Sequence, residues 1–483
     1  MNARRVPVLC VWGLVAVAGL FAATARADEL VEKAKVDALV QPLVDAGWID
    51  GVAIGFISED GTQQLGYGRI SETNDAAPGP DTLFEIGSIT KVFTGTILGK
   101  MVVDGVVKLD DPVQPIFGTA MLIPKGERPI TLVDLATHTS GLPRMPTNFS
   151  PADPMNPYAD YTTLQMGQFL AGHKLRREPG EKSEYSNLGM GLLGQALAVK
   201  NGYDYESLVE KEIWGPLEMT DTRITLDDDD RRRLAQGHDF DGNPVKNWDL
   251  PAMAGAGAIR STTGDMLKFL AANLGLKKTD LDEAMALAQQ QHFESPDQAA
   301  NDVGLAWQLQ RKGNVIWHNG GTGGYHTYAA IQPEKKIGVV VLASTQTGKV
   351  DELGRKLLAL LAGEDVEPVK VPATIELKPE DLEPLVGRYQ IPGLANADVT
   401  RDGDRLFLQI SGQPKIGIYP TSETHFYCRP VEASFDFESD DAGKIARMVI
   451  HQGGRDISAK RVEPKEEAPA ESASDAPAEP TEN

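Results

Sequence analysis

Glu85-Ile86-Gly87-Ser88-Ile89-Thr90-Lys91 follows a short apolar run and opens a helical pattern, with Ile89, Val92, Phe93, Ile97 and Met101 as its apolar stripe. Ser88 therefore sits at a helix start, and Lys91 lies one turn on, on nearly the same face. A serine hydroxyl is a poor nucleophile until a base takes its proton. A lysine amine is such a base once burial lowers its pKa. The helix N-terminus adds positive potential and a free backbone N–H where an oxyanion would form. Taken alone, the same residues also describe a serine cap followed by a solvated lysine. The glycine-flanked serine elbow of α/β-hydrolases does not fit, because Ile86 and Thr90 occupy its glycine positions.

Two later stretches carry compatible chemistry. Tyr185-Ser186-Asn187 follows Pro179-Gly180 and reads as an extended segment, so Tyr185 and Asn187 point to the same side. A phenol beside a lysine can shuttle a proton, and an Asn amide can hold a substrate carbonyl. The alternative is a tyrosine packed in a turn, with Asn capping the next helix. His318-Asn319-Gly320-Gly321-Thr322-Gly323-Gly324-Tyr325 links two late strands. Its glycines permit close approach of a substrate backbone, and the Gly321 N–H is a candidate second oxyanion donor. His318 is placed to orient or protonate a leaving group, or to bind a carboxylate when charged. An ordinary Gly-rich hairpin is the plainer reading.

Together, in this order, the three stretches resemble the class C β-lactamase and DD-peptidase family of serine hydrolases. His138-Thr139-Ser140-Gly141-Leu142-Pro143, Pro179-Gly180, residues 255–265 and Gly304-Leu305-Ala306-Trp307 add to the likeness, which covers about residues 30–363. The resemblance implies Ser88 as the acylated nucleophile and Lys91 as adjacent base or proton relay. It implies Tyr185 as general base and as acid to the leaving group. Ser88 and Gly321 would form the oxyanion hole, and Asn187, His318, Asn319 and Gly320 would contact substrate. His318 stands where Lys is common and Asn319 where Thr is usual. A neutral His318 would weaken a grip on a carboxylate.

Working outward, residues 29–47 read as an amphipathic helix with Leu30, Ala34, Leu39, Leu43 and Val44 on one side. Residues 51–58 and 62–68 read as a hairpin about Asp60-Gly61. Helices dominate from Ser88 to about Leu217, and short strands return at 304–310, 314–317, 325–332 and 337–343. A helix follows at 350–361. The expected fold is thus mixed α and β: an antiparallel sheet flanked by terminal helices, with an inserted helical subdomain. A Pro- and Glu-rich linker, 364–375, leads to residues 376–462, where about eight short strands predict a small β-barrel. The phrases Val386-Gly387-Arg388-Tyr389, residues 401–406 and Ile450-His451-Gln452 resemble the lipocalin-like barrel often appended to this family. The hydrolase domain is expected over 28–363.

Arg4 and Arg5, an apolar run from Val6 to Ala23 and Ala25-Arg26-Ala27 have the grammar of a secretory signal peptide over residues 1–27. Export across the inner membrane, to the periplasm, is expected, with no membrane span in the mature chain. Removing residues 1–27, with three Arg and no acid, takes the formal net charge from −22 to −25. Such a surface repels nucleic acid and anionic membranes. Residues 463–483, rich in Glu, Ala, Pro and Ser, read as a disordered acidic tail. Cys428 is the one cysteine beyond the leader, so no internal disulfide forms, and a buried thiol is expected. The scattered histidines predict no metal, and no cofactor is expected. His138 reads as a buried scaffold residue. The sequence therefore points to an acyl-enzyme hydrolase acting on an amide or ester, as in a D-amino-acid peptide of the cell wall or a β-lactam. A carboxylesterase of the same fold and a penicillin-binding sensor without turnover are the alternatives.

Overall fold

The computed structural model describes residues 29–462 except 394 and 432; the expected leader and acidic tail lie outside the described residues. Helix α1 (Lys33–Asp45) precedes the hairpin β1 (Gly51–Ser58) and β2 (Gly61–Gly68). Later come β3 (Asp302–Val303), β4 (Gln308–Gln310), β5 (Val315–Gly321), β6 (His326–Gln332) and β7 (Ile337–Ala343). They form one antiparallel sheet in the order β2-β1-β7-β6-β5-β4-β3, so the two ends of this region meet where β1 pairs with β7. The helical portion lies between them in sequence, as expected.

Alternation along β1 and β7 divides their side chains between two cores. Val52, Ile54, Phe56, Val339 and Val341 pack with α1 and with α5 (Lys349–Leu361). Ala53, Ile57, Val340 and Leu342 join the larger core with α2 (Thr90–Val103) and α4 (Thr263–Asn273). The buried face of α1 is Val36, Leu39, Val40 and Leu43, while Ala34 is exposed. The expected stripe therefore erred at Ala34, while Leu30 and Val44 do pack at the edge of this core. Helix α2 buries the predicted stripe and nearly everything else, including Lys91, because it runs through the middle of the domain. Helix α3 (Asn187–Asn201) packs beside it, capped by the Ser186 side chain, which accepts from Gly189 N–H at 2.8 Å. A short turn, Ala254–Gly257, wedges against both helices. A Cβ on Gly194 would lie 3.0 Å from the Gly255 Cα, so small residues are what let this turn in.

Eight strands close the C-terminal barrel: β8 (Gly387–Ile391), β9 (Ala395–Asp402), β10 (Arg405–Ile410), β11 (Ile416–Pro420), β12 (His425–Cys428), β13 (Ala433–Ser439), β14 (Ile445–Gln452) and β15 (Arg455–Val462). Each pairs antiparallel with the next, and β8 with β15 closes the ring. Tyr389, Leu408, Phe426, Phe435 and Met448 fill it. Cys428 is buried there. The barrel rests on the hydrolase region through Arg429, which donates to the Gly47 and Ala46 carbonyls at 2.7 and 3.0 Å, and through a Trp48–Tyr427 stack.

Asp241 makes a second latch, accepting from Tyr419 Oη at 2.8 Å and Gly417 N–H at 3.1 Å with its side chain only 7% exposed. Removing it strands both donors, at about 1–3 kcal/mol. Asp241→Ala is expected to lower the urea midpoint and speed protease cleavage within 364–375. Unchanged cleavage there would show that Asp241 holds nothing.

Candidate active site

The first motif is shaped by close backbone packing. Gly87 has φ +51°, a left-handed conformation that suits glycine, and a Cβ there would meet Gly321 N at 2.7 Å. A single 3-10 turn, Gly87–Ile89, then passes into α2, leaving Ser88 partly accessible and carrying Lys91 fully into the core. Lys91 Nζ lies 2.8 Å from Ser88 Oγ and 2.6 Å from the Ala256 carbonyl. Among the described residues no carboxylate pairs with it. Burial therefore drives the Lys91 pKa well below the ordinary lysine value, and the nearby charge of Arg144 adds to the shift.

Tyr185 stands just before the α3 cap. Its ring centroid is 4.8 Å from Lys91 Nζ, 4.6 Å from the His138 ring and 6.3 Å from the His318 ring. Burial pushes the phenol up to about 12, with its interaction with Ser88 and the Arg144 charge opposing the rise. It is thus a proton donor at neutral pH. His138, buried as expected, adopts φ +60° and accepts the Ser186 N–H on Nδ1 at 3.2 Å, which leaves its proton on Nε2. Burial brings its pKa well below the ordinary histidine value, and the Arg144 charge acts in the same direction. Asn187 opens α3. Its backbone N–H bonds the Arg144 carbonyl at 3.1 Å, and its side-chain oxygen is buried without a partner.

The third motif differs from the expected connecting loop. His318, Asn319, Gly320 and Gly321 all belong to β5, and the turn is confined to 322–325. Strand alternation then sorts them. His318 is buried in reach of Tyr185, and a Cβ on Gly320 would point at the Ile86 carbonyl only 2.0 Å away. Gly321 is exposed beside the Ser88 turn. Asn319 faces the other way, and its amide donates to Asp351 at 2.9 Å; His326 bonds the same carboxylate at 3.0 Å. The Asn319 side chain is therefore not gathered with Ser88, Lys91 and Tyr185. His318 Nδ1 lies 2.5 Å from the Asn319 carbonyl, which fixes the proton on Nδ1 and leaves Nε2 a bare, buried acceptor. Burial, and then the Lys91 charge, bring its pKa down to about 4.

Three participants escaped the sequence reading. The Ala256 carbonyl anchors Lys91, although its Gly-rich stretch was noted. Arg144 follows immediately on the His138–Pro143 phrase, and its guanidinium carbon sits 5.0 Å from the Tyr185 ring centroid. Asp351, on α5, has no local signal at all. Among the described residues no three His, Cys, Asp or Glu side chains are grouped to hold a metal ion.

The Beta-lactamase family matches residues 36–364, and a family described as a domain of unknown function (DUF3471) matches residues 372–465. The chain is similar to the D-alanyl-D-alanine-carboxypeptidase/endopeptidase AmpH of Escherichia coli, with 32% identity over 65% of this chain and 86% of that protein. It is also similar to a beta-lactamase of Pseudomonas fluorescens, with 27% identity over 64% of this chain and 92% of that one. Among solved structures, a beta-lactamase/D-alanine carboxypeptidase from Yersinia pestis, complexed with citrate, superposes with a TM-score of 0.61 at 29% identity. That match covers 68% of this chain and 97% of the other. A family match over more than half its length, on a sheet and helices of the same architecture, makes this chain a member of the beta-lactamase family of serine hydrolases.

Proposed function

We propose that the protein hydrolyses an amide or ester through an acyl-enzyme on Ser88, with a D-amino-acid peptide or a β-lactam as its substrate class. The observation that carries this is Lys91: buried, unpaired by any described carboxylate, and 2.8 Å from Ser88 Oγ. Its neutral amine takes the serine proton as Oγ attacks the substrate carbonyl. The backbone N–H groups of Ser88 and Gly321 receive the resulting oxyanion. As the tetrahedral adduct collapses, the bond to the leaving nitrogen or oxygen breaks. Tyr185 then gives its proton to that atom and regains one from Lys91. A water molecule next attacks the acyl carbon, loses its proton to the same relay, and releases the acid while Ser88 is reprotonated. Asn187 orients the acyl half. His318, its ring 6.3 Å from that of Tyr185, presents its bare Nε2 on that side of the site.

The same neutral His318 favours a second reading, an esterase whose leaving group needs no carboxylate. The test is to incubate residues 28–483 with a fluorescent penicillin, nitrocefin and a p-nitrophenyl acyl ester. Penicillin labelling with nitrocefin turnover supports the first reading. Ester turnover without labelling supports the second, and labelling without turnover supports a D-peptidase or a sensor. Export to the periplasm is proposed from the pattern of residues 1–27; no helix among the described residues is long and apolar enough to cross a membrane.

The pH dependence has a definite sign. Lys91 acts as the free amine, so kcat/KM rises with pH as Lys91 loses its proton and falls on the acid side. That limb lies far below the ordinary lysine range. Because the Arg144 charge helps depress Lys91, Arg144→Gln is expected to move the limb upward in pH. A limb that ignores this substitution would remove Lys91 as its origin.

A further inference from the structure

We propose that Arg144 recognises a carboxylate carried by the acyl half of the substrate, the half that lies beside Asn187. The proposal rests on the acyl-enzyme reading above and extends it to substrate class. Arg144 is held at the site by its own backbone, since its carbonyl accepts the N–H groups of Asn187 and Leu188 at 3.1 and 3.2 Å. Those bonds tie it to the first turn of α3, the element that presents Tyr185 and Asn187. Its side chain is exposed, while its guanidinium carbon stands 5.0 Å from the Tyr185 ring centroid.

Among the described residues Arg144 has no ion-pair partner. Glu184, next to Tyr185 in sequence, is taken by Arg177. A guanidinium keeps its charge at any working pH and offers a planar fork of donors matched to a carboxylate. The other basic groups around Tyr185 are poorly suited to that task. Lys91 is buried on Ser88 and the Ala256 carbonyl. His138 and His318 are buried, and burial holds both rings neutral. The third-motif position therefore offers an anion little, and the exposed cation of the site lies on its other flank.

That flank has further character. Met145, next in sequence, is approached by Asn187 Nδ2 at 3.9 Å and by Tyr158 Oη at 3.8 Å. Tyr158 in turn packs on Trp248 at 5.2 Å between ring centroids. An acyl group with an apolar stem and an anionic end fits a wall of this kind: aromatic and thioether surface for the stem, Arg144 for the end.

The experiment compares two esters that differ only at the end of the acyl chain. These are the p-nitrophenyl esters of N-glutaryl-D-alanine, which ends in a carboxylate, and of N-pentanoyl-D-alanine, which ends in methyl. The wild-type enzyme is expected to prefer the glutaryl ester. In Arg144→Gln the ratio of kcat/KM, glutaryl over pentanoyl, is expected to fall about tenfold to a hundredfold, the range of one charge-assisted hydrogen-bonded pair. The fall should lie in KM for the glutaryl ester, and Arg144→Lys should restore part of it. Both esters use Lys91, so a change in Lys91 protonation cancels in the ratio. A ratio unchanged by Arg144→Gln, with both esters still hydrolysed through Ser88, overturns the role of Arg144 and leaves the acyl-enzyme reading standing. Turnover that persists in Ser88→Ala overturns the acyl-enzyme reading and the role of Arg144 with it.

Discussion

Ser88→Ala is expected to lower kcat/KM by about 10⁴ or more on every substrate the wild-type protein hydrolyses, the scale seen when a serine nucleophile is deleted. The fold should survive. Ser88 is partly accessible, and removing its hydroxyl leaves Lys91 still bonded to the Ala256 carbonyl. No core methylene is lost, so the thermal midpoint should stay close to wild type. Intact-mass measurement after incubation with a penicillin gives the sharper readout. The wild type should gain the mass of one acyl group, and Ser88→Ala none. Retention of activity within tenfold of wild type by a folded variant would place the nucleophile elsewhere.

Gly320→Ala is the second large effect, and it acts without touching any reacting atom. A Cβ at 320 would lie 2.0 Å from the Ile86 carbonyl oxygen and 2.5 Å from Thr327 Oγ1. Neither neighbour can yield cheaply. Ile86 sits two residues before Ser88, and Thr327 Oγ1 already donates to the same carbonyl at 2.9 Å. The strand must therefore back away from the Ser88 turn, carrying the Gly321 N–H out of the position proposed for the oxyanion. The expected cost is about 1–3 kcal/mol of stability, as for other overpacked sites. Loss of an oxyanion donor predicts a fall in kcat of about 10²–10³. Gly172→Ala is the matched comparison, because nothing lies within 4 Å of a Cβ there. Equal effects of the two substitutions on kcat would refute the steric account.

How much of this was legible in the sequence depends on the range of the interaction. The β1–β2 hairpin announced itself through Asp60-Gly61 and its flanking apolar runs, and its strands fall within a residue of expectation. The eight barrel strands were equally visible, because each is bounded by local turn residues. Helix α2 was harder. Its apolar stripe was read correctly, but burial of its other faces comes from the sheet, α3 and the 254–257 turn, which periodicity does not see. Strand β5 was cut short because Gly320 and Gly321 have the composition of a loop; they are strand because backbone must approach backbone there.

The site followed the same rule. Ser88 and Lys91 share one helical turn, so their contact was predictable. The contacts of Tyr185 with His138, and of Asn319 with Asp351, join segments far apart in sequence. Asn319 was expected at the substrate by analogy of position, and the alternation of β5 sends its amide to the opposite face. Arg144 carries no motif of its own; only its place above the Tyr185 ring makes it notable.

The union of β1 with β7 also dictates when the enzyme comes into being. Val52 is partnered by Ala343, so a chain made from its N-terminus carries the first strand without its neighbour until nearly the whole hydrolase region has followed. Closing so long a loop is slow, and folding waits on it. A nascent chain stalled before Ile337 has Val52, Ile54 and Phe56 but lacks the strand that covers one edge of β1. Until Ile337–Ala343 arrives, that edge keeps its backbone donors and acceptors unpaired, and the hydrolase sheet cannot close.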